Sequence, residues 1–483
     1  MKYLNNLHTA TSVTTTDNGA KTFDTSGSYL LDFYAQAGSM RNSPDKALEL
    51  FIKAYSEDRL KAIKILFYLR DVRGGQGERD LFRTCLEWIG TKEVKVFESI
   101  IKYVSEYGRW DDLFFDNDKA IDFIHDQLAE DFKSDKPSLL AKWLPSINAS
   151  SKATKAKAKF FVNKFVTTDK EYRKTLSKIR KQIGIVESQM SARKWDEIDY
   201  SAVPSQAARI YRRAFQRHDE VGYAKFIEKV ESGEKTINAG TLYPYQIYKD
   251  VKSNYGEDDK TSNALWKSLP DYTQGKNALV VADVSVSMFG DPMSVSVSLA
   301  MYFAERNTGY FKDHFLTFSS KPKLQRIVGD TLSSRMRSIE NADWEQNTDI
   351  TATINLLVDT AVKNNVPVEE MPETIYIISD MEFDECTDGG RYSWQSGGGF
   401  ELSQSALEMA KNKYTKAGYK TPNIVFWNVN ASGSNLPARQ NEYGVALVSG
   451  FSPVIFKIAV ENKTPIEIMN DTIESDRYKD IAI

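Results

Sequence analysis

The apolar residues of this chain recur at helical spacing from Tyr29 to about Lys249, and alternate between short strand-like runs and helices from about residue 278 onward. This change of period divides the fold into two architectures. In the first part, Ser43-Pro44-Asp45 puts Ser at an N-cap, Pro at the first helical position and an acid in the first turn. The stretch 46–68 then alternates apolar and charged faces, and further helices are predicted over 80–88, 94–107, 119–131, 155–166, 170–183, 204–219 and 222–231. Helices of this length with short polar connections describe an all-α solenoid or ring of HEAT-like stacked pairs, although no repeat of fixed period is visible. Between 253 and 277 the chain turns polar and turn-rich (SNYGEDDKTSN, SLPDYTQGKN), which marks a boundary.

Beyond the boundary, strands are predicted at 278–283 (ALVVAD), 314–318, 374–380 (TIYIISD), 423–428 (NIVFWN) and 445–449, with helices at 296–307, 349–364, 402–417 and 453–462. Buried-looking strands alternating with helices imply a doubly wound, mostly parallel α/β sheet of the Rossmann type, with its site at the carboxyl ends of the strands. The expected organisation is a flexible segment 1–27, a helical domain 28–254, a linker 255–275 and an α/β domain 276–483. A chain of 483 residues requires more than one core in any case.

Hydrophobic residues at 41% and charged ones at 27% fit a soluble protein and exclude collagenous, wholly disordered and membrane-embedded classes. No apolar run approaches the ~18 residues of a membrane span, and the Thr- and Asn-rich start does not read as a signal peptide. Cys85 and Cys386 form no metal or redox spacing, so a reducing compartment, the cytoplasm, is expected.

Two features carry chemistry. The first strand of the second part runs into Asp283-Val284-Ser285-Val286-Ser287, an acid and two hydroxyls at alternating positions. Thr348 precedes one later helix and Asp380 ends the TIYIIS strand, so the topology brings three segments to one edge. Two carboxylates and three hydroxyls are hard oxygen ligands, suited to Mg²⁺ or Mn²⁺. The alternative is that Ser285 and Ser287 cap a helix and Asp283 closes a turn. Asp349, Glu382 and Asp384 are read either as groups flanking the ligands or as solvated, rather than as ligands. The Gly-rich insert 385–400, with Tyr392 and Trp394, either forms a contact surface over the site or packs back on the domain.

The second feature is hidden by a net charge of −3. Residues 136–230 hold 21 Lys and Arg against nine Asp and Glu, a local +12 that leaves −15 for the remainder. The basic residues cluster as Lys152, Lys155, Lys157 and Lys159, then Arg173, Lys174, Lys178, Arg180 and Lys181, then Arg209, Arg212, Arg213 and Arg217. Arg209, Arg213 and Arg217 are spaced to share a helix face, with Trp195, Tyr211 and Phe215 near enough in sequence to stack on bases. Such asymmetry is a nucleic-acid footprint, or else a basic face docked on the acidic second half.

The Asp283/Ser285/Ser287, Thr348 and Asp380 pattern resembles the metal-ion-dependent adhesion site (MIDAS) of von Willebrand factor A domains, over about 276–462. That resemblance implies direct coordination of Mg²⁺ by Ser285, Ser287 and Thr348, with Asp283 and Asp380 direct or one water away. It also implies an open position for an acidic partner protein or another anion. The helical part resembles the TROVE modules of Ro autoantigens, and most closely a related bacterial and phage family of unassigned function. The residues that carry it are LFYLRDVRGGQGERDLF (66–82), YGRWDDL (107–113), AKWLPS (141–146), YRKTLSKIR (172–180) and VPSQAARIYRRAFQRHD (203–219). This resemblance implies a Ro-like ribonucleoprotein component that binds structured or single-stranded-ended RNA. Arg73, Arg79 and Arg109 join the basic clusters as RNA-binding positions, and Arg73-Gly74-Gly75 is either a phosphate cradle or a glycine helix cap.

No phosphate-binding loop, HExxH, nucleophile elbow or kinase set occurs, and His8, His125, His218 and His314 form no motif. The expectation is a non-enzymatic RNA-binding protein with a Mg²⁺ site. The rival is a metal-dependent assembly module, of phage type, without RNA.

Overall fold

Both periodicities become structure in the computed structural model, which describes residues 12–253, 259–273, 275, 277–340, 348–385, 405–431 and 435–483. Cys386, and the Gly-rich insert beyond residue 385 with Tyr392 and Trp394, lie outside the described residues. The strands, in chain order, are β1 (Val13–Thr15), β2 (Lys21–Phe23), β3 (Ala278–Ala282), β4 (His314–Thr317), β5 (Leu324–Arg326), β6 (Thr374–Ser379), β7 (Asn423–Asn428) and β8 (Val445–Ser449).

Six of them form one sheet in the order β5-β4-β3-β6-β7-β8, parallel except for the antiparallel edge pair β4–β5. Every residue of β3, β6 and β8 is buried. Such unbroken apolar strands require covering on both sheet faces, which is the physical reason they pair in parallel. The helix Asp291–Arg306, started by Pro292, is longer than the pattern indicated. The helix expected at 453–462 is only a 3-10 turn, Pro453–Lys457. Helical structure restarts at Pro465–Ile473, behind a capping box of Thr464 and Glu467. Edge strand β5 and the helix Leu332–Glu340 were not legible, and the expected linker holds a helix, Lys260–Lys267, capped by Asp259.

In the helical half, the pattern 46–68 resolves into two helices, Pro44–Glu57 and Arg59–Arg70. Asp58 breaks them with an extended backbone, and its carboxylate accepts from Lys61 N at 2.9 Å. Ser43 makes no side-chain cap bond, and Pro44 alone fixes that start. Helices continue to Pro244–Ser253 and curl around an open cavity of about 2400 Å³, lined by residues from Arg41 to Gln246. Among the described residues no helix is long and apolar enough to cross a membrane.

The expected flexible segment 1–27 carries a hairpin where it is described, in residues 12–27. β1 and β2 pair antiparallel around Asn18-Gly19, with Gly19 at φ +90°. Asn-Gly between Thr-rich β-formers is a hairpin signal that composition alone obscured.

The motif 70–79 is the joint between the halves. Gly75 N and Gly77 N donate to Asp71 O (3.1 and 3.2 Å), Gln76 N to Tyr68 O (3.1 Å) and Glu78 N to Leu69 O (2.7 Å). With Arg73 N on Asp71 Oδ1 (3.0 Å), these five amides are donated within the protein, which leaves a phosphate cradle at Arg73-Gly74-Gly75 without the Arg73 and Gly75 amides. The loop instead receives the chain's end. Arg477 donates to both Asp71 oxygens (2.8 and 3.2 Å), Tyr478 OH to Asp71 Oδ2 (3.2 Å), and Ser452 N to Gln76 Oε1 (3.3 Å). A Cβ on Gly75 would lie 1.8 Å from Tyr68 O. Gly75→Ala is therefore expected to destabilise by about 3 kcal/mol in urea denaturation, because main chain must move. Gly184→Ala, with nothing within 4 Å but a φ of +66°, should lose roughly 1 kcal/mol. Equal losses at the two positions would contradict the steric account.

Candidate metal centre and basic cavity

β3 ends at the middle of the sheet, between β4 and β6, and its register places Asp283 beside the end of β6, with Asp283 N donating to Ile378 O at 3.1 Å. Asp283 is fully buried. Its Oδ1 accepts from Ser285 N (2.8 Å) and its Oδ2 from Ser379 Oγ (2.7 Å). The chain then makes one 3-10 turn, Val286–Met288, which sets Ser285 Oγ and Ser287 Oγ 3.0 Å apart in a shared hydrogen bond. Ser287 is exposed, and its carbonyl accepts from Asn430 Nδ2 at 2.9 Å.

Asp380 follows β6 and is buried; Met381 beside it adopts φ +68°. Asp380 Oδ1 accepts from Glu382 N at 3.2 Å, whereas Asp380 Oδ2 is buried and has no hydrogen-bond partner among the described residues. Burial, with the Asp380 carboxylate adding repulsion, pushes the Asp283 carboxyl up to about 7. Thr348, also buried, is tied to the same loop: its hydroxyl donates to Glu382 O at 2.7 Å and its carbonyl accepts from Asp384 N at 3.1 Å.

Thus Asp283, Ser285, Ser287 and Asp380 share one hydrogen-bonded edge, and Thr348 reaches it through Glu382. Asp349 caps the helix Ile350–Asn364 by accepting from Ala352 N (2.8 Å). Glu382 is not solvated: it is buried and accepts from Asp17 N (2.9 Å) and Asn435 Nδ2 (2.6 Å). Ser379, Asn18, Asn430 and Asn435 carried no signal in sequence, because nothing marks a residue that holds another's side chain from a distant loop.

The test of this edge as a metal centre is chemical. Two facing buried carboxylates, one with an orphaned oxygen, are an uncompensated arrangement that a divalent cation would neutralise. The adjoining hydroxyls supply further hard oxygens. The residues fit such an ion. Among the described residues no group of three or more His, Cys, Asp or Glu is placed to hold a metal ion, so an ion on this edge would rest on two carboxylates and the hydroxyls beside them.

The second site is the cavity in the helical half. Its lining holds ten Lys and Arg (positions 41, 70, 73, 79, 109, 142, 180, 181, 194 and 209) against Glu78, Asp80, Glu106 and Glu187. Of the twelve RNA-binding positions expected, only Arg73, Arg79, Arg109 and Arg209 line it. Lys152, Lys155, Arg173, Lys174, Lys178, Arg213 and Arg217 are exposed elsewhere, Lys178 lying 3.7 Å over the Phe132 ring. Arg212 is buried, with ion pairs to Asp250 and Asp259 (both 3.1 Å), so it leaves the candidate set. Arg209, Arg213 and Arg217 lie along one side of the helix Ser205–His218, each four-residue step turning about 40°, but only Arg209 lines the cavity.

Within the lining, the Arg109 guanidinium sits 4.2 Å over the Trp143 ring and pairs with Asp111 at 3.0 Å; burial holds it below its usual range. Arg180 is built into the wall by Ala141 O, Leu144 O and Ser146 Oγ (2.6–2.7 Å). Tyr211 lines the cavity, whereas Phe215 is core and Trp195 stacks on His218 at 4.5 Å. Arg41, Lys142 and Lys194 were missed, because single basic residues spread over 150 positions make no cluster.

One relative is "Uncharacterized protein L728" of Acanthamoeba polyphaga mimivirus, 28% identical over 509 residues, covering 95% of this chain and 87% of that protein. Among solved structures, the RO (RSR) protein of Deinococcus radiodurans aligns over 90% of this chain and 92% of its own, at 13% identity and a TM-score of 0.33. Residues 277–481 match the family model described as "Domain of unknown function (DUF7788)". Residues 16–96 and 112–276 match that described as "Domain of unknown function (DUF2828)". That second match spans over half of the residues and takes in most of the cavity lining, though not Ser105, Glu106, Gly108, Arg109 or Trp110, and the chain belongs to the DUF2828 family.

Proposed function

We propose that this chain is a non-enzymatic, cytoplasmic RNA-binding protein whose helical half holds RNA in its basic cavity and whose second domain binds Mg²⁺ or Mn²⁺. The observation that carries the RNA reading is the lining of that cavity, ten cationic side chains against four acidic ones around an open space of about 2400 Å³. Phosphates in such a space gain from every unpaired cation near them, and Trp143 and Tyr211 offer faces for bases. Arg79 and Lys181 are exposed on this lining.

At the metal centre, Ser285, Ser287, Thr348, Asp283 and Asp380 would hold the ion directly or through water. A bound ion would supply one strong positive charge there, for an acidic partner protein or another anion. Asp283 and Asp380 compensate that charge, Ser379 keeps Asp283 oriented, and the buried loop around Glu382 limits the entry of water.

The rival, a basic face docked on the chain's own acidic half, draws no support from the ion pairs. Those described for Lys and Arg within 136–230 run to Asp116, Asp118, Asp169, Glu187, Glu197, Glu234, Asp250 and Asp259.

Filter binding to a single-stranded and to a hairpin RNA between 50 and 200 mM salt tests the RNA reading. Affinity should fall by about 10³ if six or more phosphates are neutralised. Arg79→Glu with Lys181→Glu should lower it further and flatten the salt slope by about 2, with melting unchanged. Salt-independent binding, or none to either RNA, overturns the reading.

A further inference from the structure

We propose that the N-terminal hairpin is a working part of the metal centre, with Asn18 as a positioning residue for Thr348. This inference rests on the metal reading above and extends it to a segment over three hundred residues away in sequence. The turn between β1 and β2 lies against the loop that follows β6. Asn18 Nδ2 donates to Glu382 O at 2.8 Å and reaches Thr348 Oγ1 at 3.4 Å. Asp17 N donates to Glu382 Oε2 (2.9 Å), Thr16 Oγ1 to Phe383 O (2.7 Å), and Glu385 N to Asn18 O (3.2 Å). Gly19 forms an antiparallel bridge with Asp384, whose own N–H holds the Thr348 carbonyl. The hairpin, the 382–385 segment and Thr348 are therefore three strips laced side by side.

The chemistry gives this lacing a consequence. A threonine hydroxyl ligates a cation through a lone pair, so its proton must point elsewhere. Here the proton goes to Glu382 O, at 2.7 Å. That carbonyl is held in place by the amide of Asn18, and the Glu382 carboxylate by Asp17 N and Asn435. Asn18 thus fixes the acceptor that orients the hydroxyl. The far end of the hairpin is anchored separately, by Thr22 Oγ1 on Leu436 O (2.9 Å) and by Lys21 paired with Glu408 at 3.2 Å. Hairpin docking and site geometry can therefore be perturbed independently.

Groups that orient a metal's ligands typically contribute 10- to 100-fold in affinity. Isothermal titration of the full chain with MgCl₂ should show Asn18→Ala weakening Mg²⁺ binding about tenfold. Thr22→Ala, which loosens only the far anchor, should change it less than threefold. Coupling is reciprocal, so Mg²⁺ should slow hydrogen exchange at the amides of Asp17, Asp384 and Glu385 in the unmutated protein and less so in Asn18→Ala. The proposal is overturned if Asn18→Ala titrates like the unmutated chain, or if Thr22→Ala loses as much. Absence of Mg²⁺ uptake by the unmutated chain is a different failure, of the metal reading itself, and is recognised before any substitution is made.

Discussion

Replacing Asp112 by Ala is expected to lower stability by about 3–5 kcal/mol in urea denaturation, the loss characteristic of a broken buried ion pair. Asp112 accepts from Arg70 Nε (2.7 Å), Arg83 Nε (2.8 Å) and the backbone N of Arg109 (2.9 Å). Its side chain and that of Arg70 are 0% and 2% exposed. One carboxylate thus ties together the end of the helix Arg59–Arg70, the helix Asp80–Lys92 and the turn that presents Arg109 to the cavity. Without it the Arg70 guanidinium is left buried and uncompensated, and that penalty, more than the lost attraction, makes the effect large. The double substitution Arg70→Met with Asp112→Leu should recover part of the loss, since the fully buried guanidinium leaves with its partner while Arg83 and the backbone N of Arg109 still lose their acceptor. If Asp112→Ala costs under 1 kcal/mol, the pair is not the wall's anchor.

That anchor also shows what the sequence concealed. YGRWDDL was visible as a family-like motif, and its Arg109 as a candidate RNA contact. Asp112, three residues on, carried no signal of its own, because its partner Arg70 lies 42 residues earlier in the chain. The sheet was legible because parallel strands covered on both faces need an apolar run, as in ALVVA and in the interiors of TIYIIS and NIVFWN. The carboxyl-end residues were legible because the topology rule names where they meet. Long-range side-chain bonds leave no local trace: Glu382 reads equally as solvated or as flanking the ligands, Arg212 reads as an RNA contact, and residues 12–23 read as frayed, because their partners lie far off in sequence. Charge clustering misdirected for a related reason. Ten of the thirteen clustered cations lie off the cavity lining, whereas Arg41, Lys142 and Lys194 reach it singly from separate segments.

The metal centre yields the second large expected effect, one with opposite signs in two conditions. If the ion binds the folded state alone, Mg²⁺ at about 100 times its dissociation constant adds about 2.7 kcal/mol, or roughly 5–10 °C in melting temperature for a domain of this size. Asp283→Asn should abolish that shift, because a neutral amide cannot replace a carboxylate beside the cation. The fold should tolerate the change. The amide oxygen can still accept from Ser285 N, and its nitrogen can donate to Ser379 Oγ where Asp283 Oδ2 now accepts. In metal-free buffer the variant should melt higher than the unmutated chain, since one of two facing buried carboxylates has been removed. A purely structural role for Asp283, as the closing residue of a turn, gives the reverse pattern: lower stability with and without Mg²⁺, and no metal-dependent shift to lose. Differential scanning calorimetry of both proteins, with Mg²⁺ and with a chelator, separates the two accounts. An unmutated chain that melts at one temperature in both conditions would sink the metal centre.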